Sequence, residues 1–387
     1  MMRIPVYDVT IQHRRLLPEL EAAFREVLLN GQSDVVPQVT GLEQEVGDFL
    51  GGCHAIGVQS GTAALFLILK ALGIGPGDEV ITVPNSDMAT TGAISHTGAR
   101  FVLCDVESDS MNMNPALVQS CITPRTKAIL PVHLYGHPAD MNPILDIARR
   151  HGLAVVEDAT LSLGATYHGR FTGLIGVAGA FSFAAHKVIG GVGNGGMVVT
   201  RDPDLALRVR TLRGYGQHPS RQELPPELRH TLDSQQYLVE GYNLRLDSVQ
   251  AALLRVKLQH LREWQVERQA LADRYALRFA GTVVQAPVVK PGCTHAWRNY
   301  IVLLPDRDRV RQALRDRGIA SIALYIPPVH LHPVHAHLGL GPGSFPVAER
   351  LAEQLLGLPM YPGLAPERVD EVAHAVLESV AATSRAS

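Results

Sequence analysis

Apolar positions in the first two thirds of the chain fall in short unbroken runs rather than in alternation. The runs are AIGVQ (55–59), EVITVP (79–84), RFVLCDV (100–106), KAILPVHLY (127–135), LAVVEDA (153–159), AFSF (180–183) and GMVVT (196–200). Most are β-branched-rich with few polar positions. Strands covered on both faces read this way, because neither face meets water. Helical patterns such as ALFLILKALG and MNPILDIARRHG lie between several of them. That alternation predicts right-handed crossovers and a mostly parallel sheet with helices on both faces. No helix fits between the last two runs, so one strand is expected to be antiparallel or hairpin-linked.

From Ser248 onward the pattern changes. Val249, Leu253 and Val256, with Leu254, Leu258 and Leu261, form a broad apolar face at helical spacing. It continues through EWQVERQALADRYALRF, which predicts one long helix leaving the large domain. Beyond it, NYIVLLP (299–305) predicts a strand, RDRVRQALRDRG a helix and ASIALYIP a second strand. FPVAERLAEQLLGLP and PERVDEVAHAVLESVAA predict two terminal helices, and PVVKPGCTH is loop-like. The expected division is a large α/β domain with an N-terminal arm over 1–250, then a smaller α+β domain over 251–387 that opens with the linking helix.

Composition narrows the function classes. The 387 residues suffice for about two domains of roughly 150 residues. A formal charge of −2, with no basic run, argues against a nucleic-acid binder. No stretch approaches the roughly 20 apolar residues of a membrane span, and MMRIPVYDVTIQHRR lacks the features of a signal peptide. Cys53, Cys104, Cys121 and Cys293 are scattered, without a CxxC pair. The expectation is a reduced, soluble, cytoplasmic protein.

The candidate chemistry begins with glycines. Residues 191–196, GVGNGG, match GxGxxG, but the dinucleotide motif needs a helix after it, and here the strand MVVT follows. A glycine loop beside an active site fits better. AIGVQ leads instead into Ser60, Gly61 and Thr62 and then an apolar helix. Gly61 allows close backbone approach to a ligand and Thr62 offers a hydroxyl at a helix start, a phosphate-binding arrangement. An ordinary helix cap is the competing reading. Glu157 and Asp158 end a buried strand, where open α/β sheets place ligands; a cap or a loop ion pair would also explain them. Lys187 stands just after another strand in a run almost free of charge. A desolvated lysine there is a nucleophilic amine suited to a Schiff base, and a snorkelling surface lysine is its rival.

Together the three sites match the needs of pyridoxal 5′-phosphate. The helix start takes its phosphate, Lys187 its aldehyde and Asp158 its pyridine nitrogen, so that the ring acts as an electron sink.

Over nearly its full length the chain resembles the DegT/DnrJ/EryC1/StrS family of pyridoxal-phosphate-dependent sugar aminotransferases, of fold type I. The segments that carry the likeness are GDEVITVP, TPRTKAILPVHLYG, VVEDA, GATYHGRFTG, the FSF–K–GG–VVT block, GYNLRLDSVQAALLRVKL and LPMYP. The resemblance implies that Lys187 forms the imine with the cofactor, that Asp158 contacts the pyridine nitrogen, and that Gly61, Thr62 and Ser182 hold the phosphate. It further implies that Asn243 reaches the cofactor phosphate of a neighbouring subunit in a homodimer with shared sites; a turn residue is the alternative there.

Two departures stand out. The family stacks an aromatic residue on the pyridine ring, whereas this stretch reads Pro84-Asn85-Ser86-Asp87-Met88-Ala89, so Ser86, Asp87 or Met88 must fill that space without a π-stack. Leu161 replaces the Gln or His usual three residues after the pyridine-contacting Asp. His330, His332, His335 and His337 suggest a metal by number alone, but Pro333 interrupts their spacing and no metal site is expected. His186 either donates to cofactor or substrate or serves packing. The resemblance implies transfer of an amino group from glutamate or glutamine to a keto sugar, nucleotide-linked by expectation, in amino-sugar or antibiotic-type biosynthesis. A ketocyclitol aminotransferase, a sugar dehydratase and a non-catalytic partner retaining the fold are the alternatives; Lys187, where the dehydratases compared often carry His, favours transfer.

Overall fold

The computed structural model describes residues 2–30, 36–217 and 237–384. The seven apolar runs all form strands: β1 (His54–Val58), β2 (Glu79–Thr82), β3 (Arg100–Leu103), β4 (Thr126–Ile129), β5 (Ala154–Asp158), then, after a small hairpin of β6 (Thr166–Tyr167) and β7 (Arg170–Phe171), β8 (Ala178–Ser182) and β9 (Gly196–Thr200). The strand order is β1-β9-β8-β5-β4-β2-β3. Pairs from β3 through β8 are parallel, and β9 runs antiparallel to both β8 and β1. The direct link from β8 to β9, too short for a crossover helix, forces that reversal.

Helices cover both faces. In chain order they are α1 (Val9–Arg15), α2 (Leu17–Asn30), α3 (Val36–Phe49), α4 (Gly61–Ala71), α5 (Met88–Ser95), α6 (Pro115–Val118), α7 (Met141–His151), α8 (Pro203–Arg213), α9 (Ser248–Gln259) and α10 (Leu261–Phe279). Strand periodicity sorts the core: Val198 joins the cluster under α4 and α8, while its neighbours Met197 and Val199 join the opposite cluster with α3 and α9. Nine of the eleven residues of α4 are buried, as expected of a helix that is apolar all round.

The C-terminal region adds β10 (Tyr300–Leu303), α11 (Arg307–Asp316), α12 (Pro346–Gln354), β11 (Leu355–Leu358) and α13 (Pro366–Ser384). Many of the buried apolar residues from Leu271 onward form a third cluster, which also takes in Ile4 of the N-terminal arm, while Ile301, Leu303, Val329, Ala348, Leu351 and Leu355 pack into the first.

Three expectations need correction. The long helix divides at His260, whose φ of −97° and ψ of 1° leave the helical region. Both halves turn the same apolar stripe inward, with Leu258 and Leu261 buried on either side, so the pattern runs across the break. The segment QLLGLP is helix only to Gln354; Leu355–Leu358 pairs antiparallel with β10. A four-residue apolar run carries no periodicity to tell helix from strand. Conversely, ASIALYIP forms no strand, only a single bridge from Ile322 to Gly357, just after the one from Ile319 to Ile4. Pro327 and Pro328 have no N–H to give a ladder, and Tyr325 sits at φ 58°.

The four loop histidines take separate roles: His330 Nε2 lies 3.0 Å from Glu349 Oε1, and His335 Nδ1 donates to the Val329 carbonyl at 2.8 Å. Glu349, on α12, is the acidic partner of His330. Among the described residues no group of three His, Cys, Asp or Glu could hold a metal ion, and no helix is long and apolar enough to cross a membrane.

Buried Glu43 joins α3 to β1 and α8. It accepts from Gly57 N at 2.8 Å, Arg213 at 2.5 Å and Arg210 at 2.6 Å. Burial by itself would raise its carboxyl, but the charges of Arg213 and Arg210 and the Gly57 N–H hold it below the usual range. Glu43→Gln should therefore cost about 3–5 kcal/mol in urea unfolding near neutral pH, since two guanidiniums stay buried without their counter-charge. The native carboxyl titrates below its unfolded value, so the contribution is complete above the unfolded pKa and disappears as pH falls through the lower native one. An unchanged midpoint at neutral pH would contradict this account.

Candidate active site

The strands β1, β2, β4, β5 and β8 point their carboxyl ends to one edge of the sheet, and a cavity of about 180 Å³ opens there. This is where parallel sheets leave a crevice between loops. β1 ends at Val58 and delivers Ser60 to the start of α4, where its Oγ accepts from Ala63 N at 3.1 Å. The cap is therefore Ser60, not Thr62. The Thr62 side chain, which lines the cavity, takes no part in that cap. Gly61 is required by space: a Cβ there would lie 2.8 Å from Ser182 Cβ and 3.0 Å from Thr160 Cγ2. The cradle is thus formed by backbone, with the Ser182 hydroxyl beside it.

β5 ends in two adjacent carboxylates that strand alternation sends to opposite sides. Glu157 accepts the N–H groups of Gly173, Ile175 and Gly176 at 2.6–2.7 Å and contacts His133 Nε2 at 2.8 Å, which makes it a tie between loop and strand. Asp158, 3% exposed, faces the cavity. Its Oδ2 accepts from Thr90 Oγ1 at 2.8 Å and its Oδ1 from Thr160 N at 3.2 Å. Since Thr90 gives its proton to Asp158, the Ser86 hydroxyl at 2.8 Å donates to Thr90. A relay of two hydroxyls therefore orients the carboxylate.

β8 carries Ser182, and a turn closed by Lys187 N donating to the Ala184 carbonyl brings Lys187 back over the cavity. Lys187 makes no side-chain hydrogen bond or ion pair among the described residues. Burial first, then the Arg298 charge, lowers its amine from 10.5 to about 8, while Asp158 and Asp87 push the other way. His186 also lines the cavity, with its ring 5.9 Å from that of Tyr7 on the N-terminal arm. Desolvation, Arg298 and Lys187 lower it to about 4.

The glycine loop before β9 is held rather than loose. Val192 and Gly193 N–H donate to Gln250 Oε1 at 2.9 and 3.0 Å, and buried Lys257 donates to the Gly190 carbonyl. A Cβ on Gly196 would fall 2.3 Å from the Ser60 carbonyl, so this glycine lets β9 close against the helix start. β9 follows the GxGxxG match, and no helix does.

Of the expected site residues, Gly61, Thr62, Asp158, Ser182 and Lys187 line one cavity. Asn243 does not; it is exposed and bridges to Gly214. In the stretch lacking an aromatic, Ser86 and Asp87 line the cavity, Asp87 caps α5 through Ala89 N at 2.9 Å, and Met88 is 36% exposed. Leu161 is buried in the wall. The sequence reading missed Thr90, Tyr325 and Arg298. A threonine inside a helix and an arginine inside the aromatic run HAWRNY were the available signals.

The chain is similar to known proteins over nearly its full length. It matches the DegT/DnrJ/EryC1/StrS aminotransferase family over residues 16–377. It is 42% identical over 377 residues to the dTDP-3-amino-3,4,6-trideoxy-alpha-D-glucose transaminase of Streptomyces venezuelae, covering 97% of this chain and 96% of the relative. The crystal structure of S. venezuelae DesV in complex with a ketimine intermediate superposes with a TM-score of 0.91 at 41% identity, covering 98% of both chains. NtdA from Bacillus subtilis with bound cofactor PMP gives a TM-score of 0.88 at 26% identity, over 98% of this chain and 86% of that one.

The electrostatics single out two lysines. Burial lowers both Lys187 and Lys257 to about 8. In cofactor-stripped protein carrying ¹³C-methylated lysines, two resonances should titrate near pH 8, well below the rest, and Lys187→Ala should remove one of them. A wild-type spectrum in which every lysine titrates near 10 would refute this.

Proposed function

The chain belongs to the DegT/DnrJ/EryC1/StrS aminotransferase family and is a pyridoxal-phosphate-dependent aminotransferase, and from that premise we propose that it moves an amino group from glutamate or glutamine to a nucleotide-linked keto sugar. The acceptor class is supported by the Streptomyces venezuelae relative, whose name specifies a dTDP-linked amino sugar.

The cavity's own residues fit the cofactor. A helix start where a Cβ would collide, a buried carboxylate oriented by Thr90 and Thr160, and an unpaired desolvated amine all face one space. Gly61, Thr62 and Ser182 would hold the phosphate, Asp158 the ring nitrogen and Lys187 the aldehyde carbon. When bound, the cofactor supplies an electron sink for the carbanion at the donor α-carbon. Lys187 Nζ would take the proton from that carbon as general base and deliver it as general acid to the cofactor's C4′, and an amine lowered to about 8 suits both duties near neutral pH. Asp158 holds a proton at the ring nitrogen, and the Ser86–Thr90 relay keeps its oxygen aimed.

In this reading the active unit is a homodimer. Asn243 lies exposed outside its own chain's cavity, where it can serve a second copy. α2 exposes Phe24, Leu28 and Leu29, at 43%, 62% and 71%, an apolar face that a partner would cover.

The observation that carries the proposal is the meeting of Asp158 and Lys187 in one cavity with the Gly61 cradle. Borohydride reduction of the purified protein should fix the cofactor on the peptide containing Lys187. Lys187→Ala should lose that label and at least about 10³-fold in turnover. An active Lys187→Ala variant, or a label on another lysine, would overturn the assignment.

A further inference from the structure

Four arginines are buried among the described residues: Arg213, Arg268, Arg298 and Arg307. Three have protein acceptors. Arg213 bonds Glu43 and the Gly57 carbonyl, Arg268 the Trp297 and Met360 carbonyls, and Arg307 the Ala352 and Leu355 carbonyls. Arg298 is 5% exposed and has no hydrogen bond or ion pair among the described residues, and its Nε is buried without a partner. Its guanidinium carbon lies 5.2 Å from the centroid of the Tyr7 ring, which covers one face of the fork. A guanidinium largely taken out of water without an acceptor, its Nε wholly buried, carries a desolvation cost that an anion would offset.

The position says which anion. The Arg298 charge acts on Lys187, His186 and Tyr325, three residues that line the cavity. Tyr7, over the guanidinium, also meets the His186 ring. Through Tyr7, Arg298 packs behind His186 in the wall next to the amine that moves the proton. Among the groups on the substrates, the one joined directly to the reacting carbon is the α-carboxylate of the amino donor. The phosphates of a nucleotide-linked acceptor are separated from its reacting carbon by the sugar. A planar guanidinium fork also matches a carboxylate bidentately.

We propose that Arg298 receives the α-carboxylate of the amino donor, holding it on the Lys187 side of the cavity under Tyr7. This rests on the reading of Lys187 given above. The Asp87 carboxylate at the same cavity caps α5 and forms no ion pair with Arg298, which leaves the guanidinium without a counter-charge among the described residues.

Glutarate tests the proposal without turnover, because it has the carboxylates of the donor and no amine. In calorimetric titration the purified holoenzyme should bind one glutarate per chain, and dimethyl glutarate should not bind. Arg298→Gln should weaken glutarate at least about tenfold, and Arg298→Lys should retain part of the affinity. The glutarate-free Arg298→Gln protein should unfold at the wild-type temperature or above it. Wild-type glutarate affinity in Arg298→Gln overturns the proposal. So does a lowered unfolding temperature with affinity intact, which would mark Arg298 as a structural partner of Tyr7. The borohydride label separates the two ideas: Lys187 labelled with glutarate indifferent to Arg298 sinks only this inference, whereas an unlabelled Lys187 sinks the reading beneath it.

Discussion

The parallel register of β5 and β8 is the constraint on which the site depends. It sets Asp158 opposite Ala180 at the shared carboxyl edge. Because Asp158 ends one strand and Lys187 returns from a turn after the other, the register decides how far the carboxylate stands from the amine. A slip of one residue would send Asp158 to the side where Glu157 now ties down the Gly173–Gly176 loop, and Glu157 into the cavity. The apolar side chains of both strands, buried on both faces, oppose that slip.

Buried charges in this protein fall into two groups. Glu43 and Glu157 are saturated: each accepts three or more hydrogen bonds. Arg213 and Arg307 are likewise provided with acceptors. Lys187 and Arg298 are not, and Asp158 has two donors where Glu157 has four. Desolvation without full compensation is unfavourable for folding, and here it gathers around one cavity. Such partial satisfaction separates groups kept for chemistry from groups kept for architecture, although all lie at similar depth.

The departures from the family pattern also gain a physical setting. With no aromatic in the stretch after β2, Ser86 turns inward and joins Thr90 in orienting Asp158, while Asp87 caps α5 at the cavity wall. Of the residues that replaced the aromatic, Ser86 therefore acts on the carboxylate from the side, through the Thr90 hydroxyl.

Much of the architecture was legible along the chain. Unbroken apolar runs and the helical patterns between them determined the seven-stranded sheet, its reversed strand and the placing of Asp158, Lys187 and Gly61 at strand ends, because burial on two faces and the lack of room for a crossover are local facts. What failed did so where local pattern is silent. A one-residue break at His260 leaves the apolar stripe in phase, LLGL is too short for any period, and the prolines of ALYIPP deny a ladder that its apolar residues suggest. Only the tertiary structure decided which polar groups meet. That Ser60 and not Thr62 caps α4, that Thr90 reaches Asp158 across 68 residues of chain, and that Arg298 lies buried under Tyr7 without an acceptor all depend on distances between distant segments. Hydrogen bonds of this kind are made by packing, and packing is settled only when the whole chain has closed on itself.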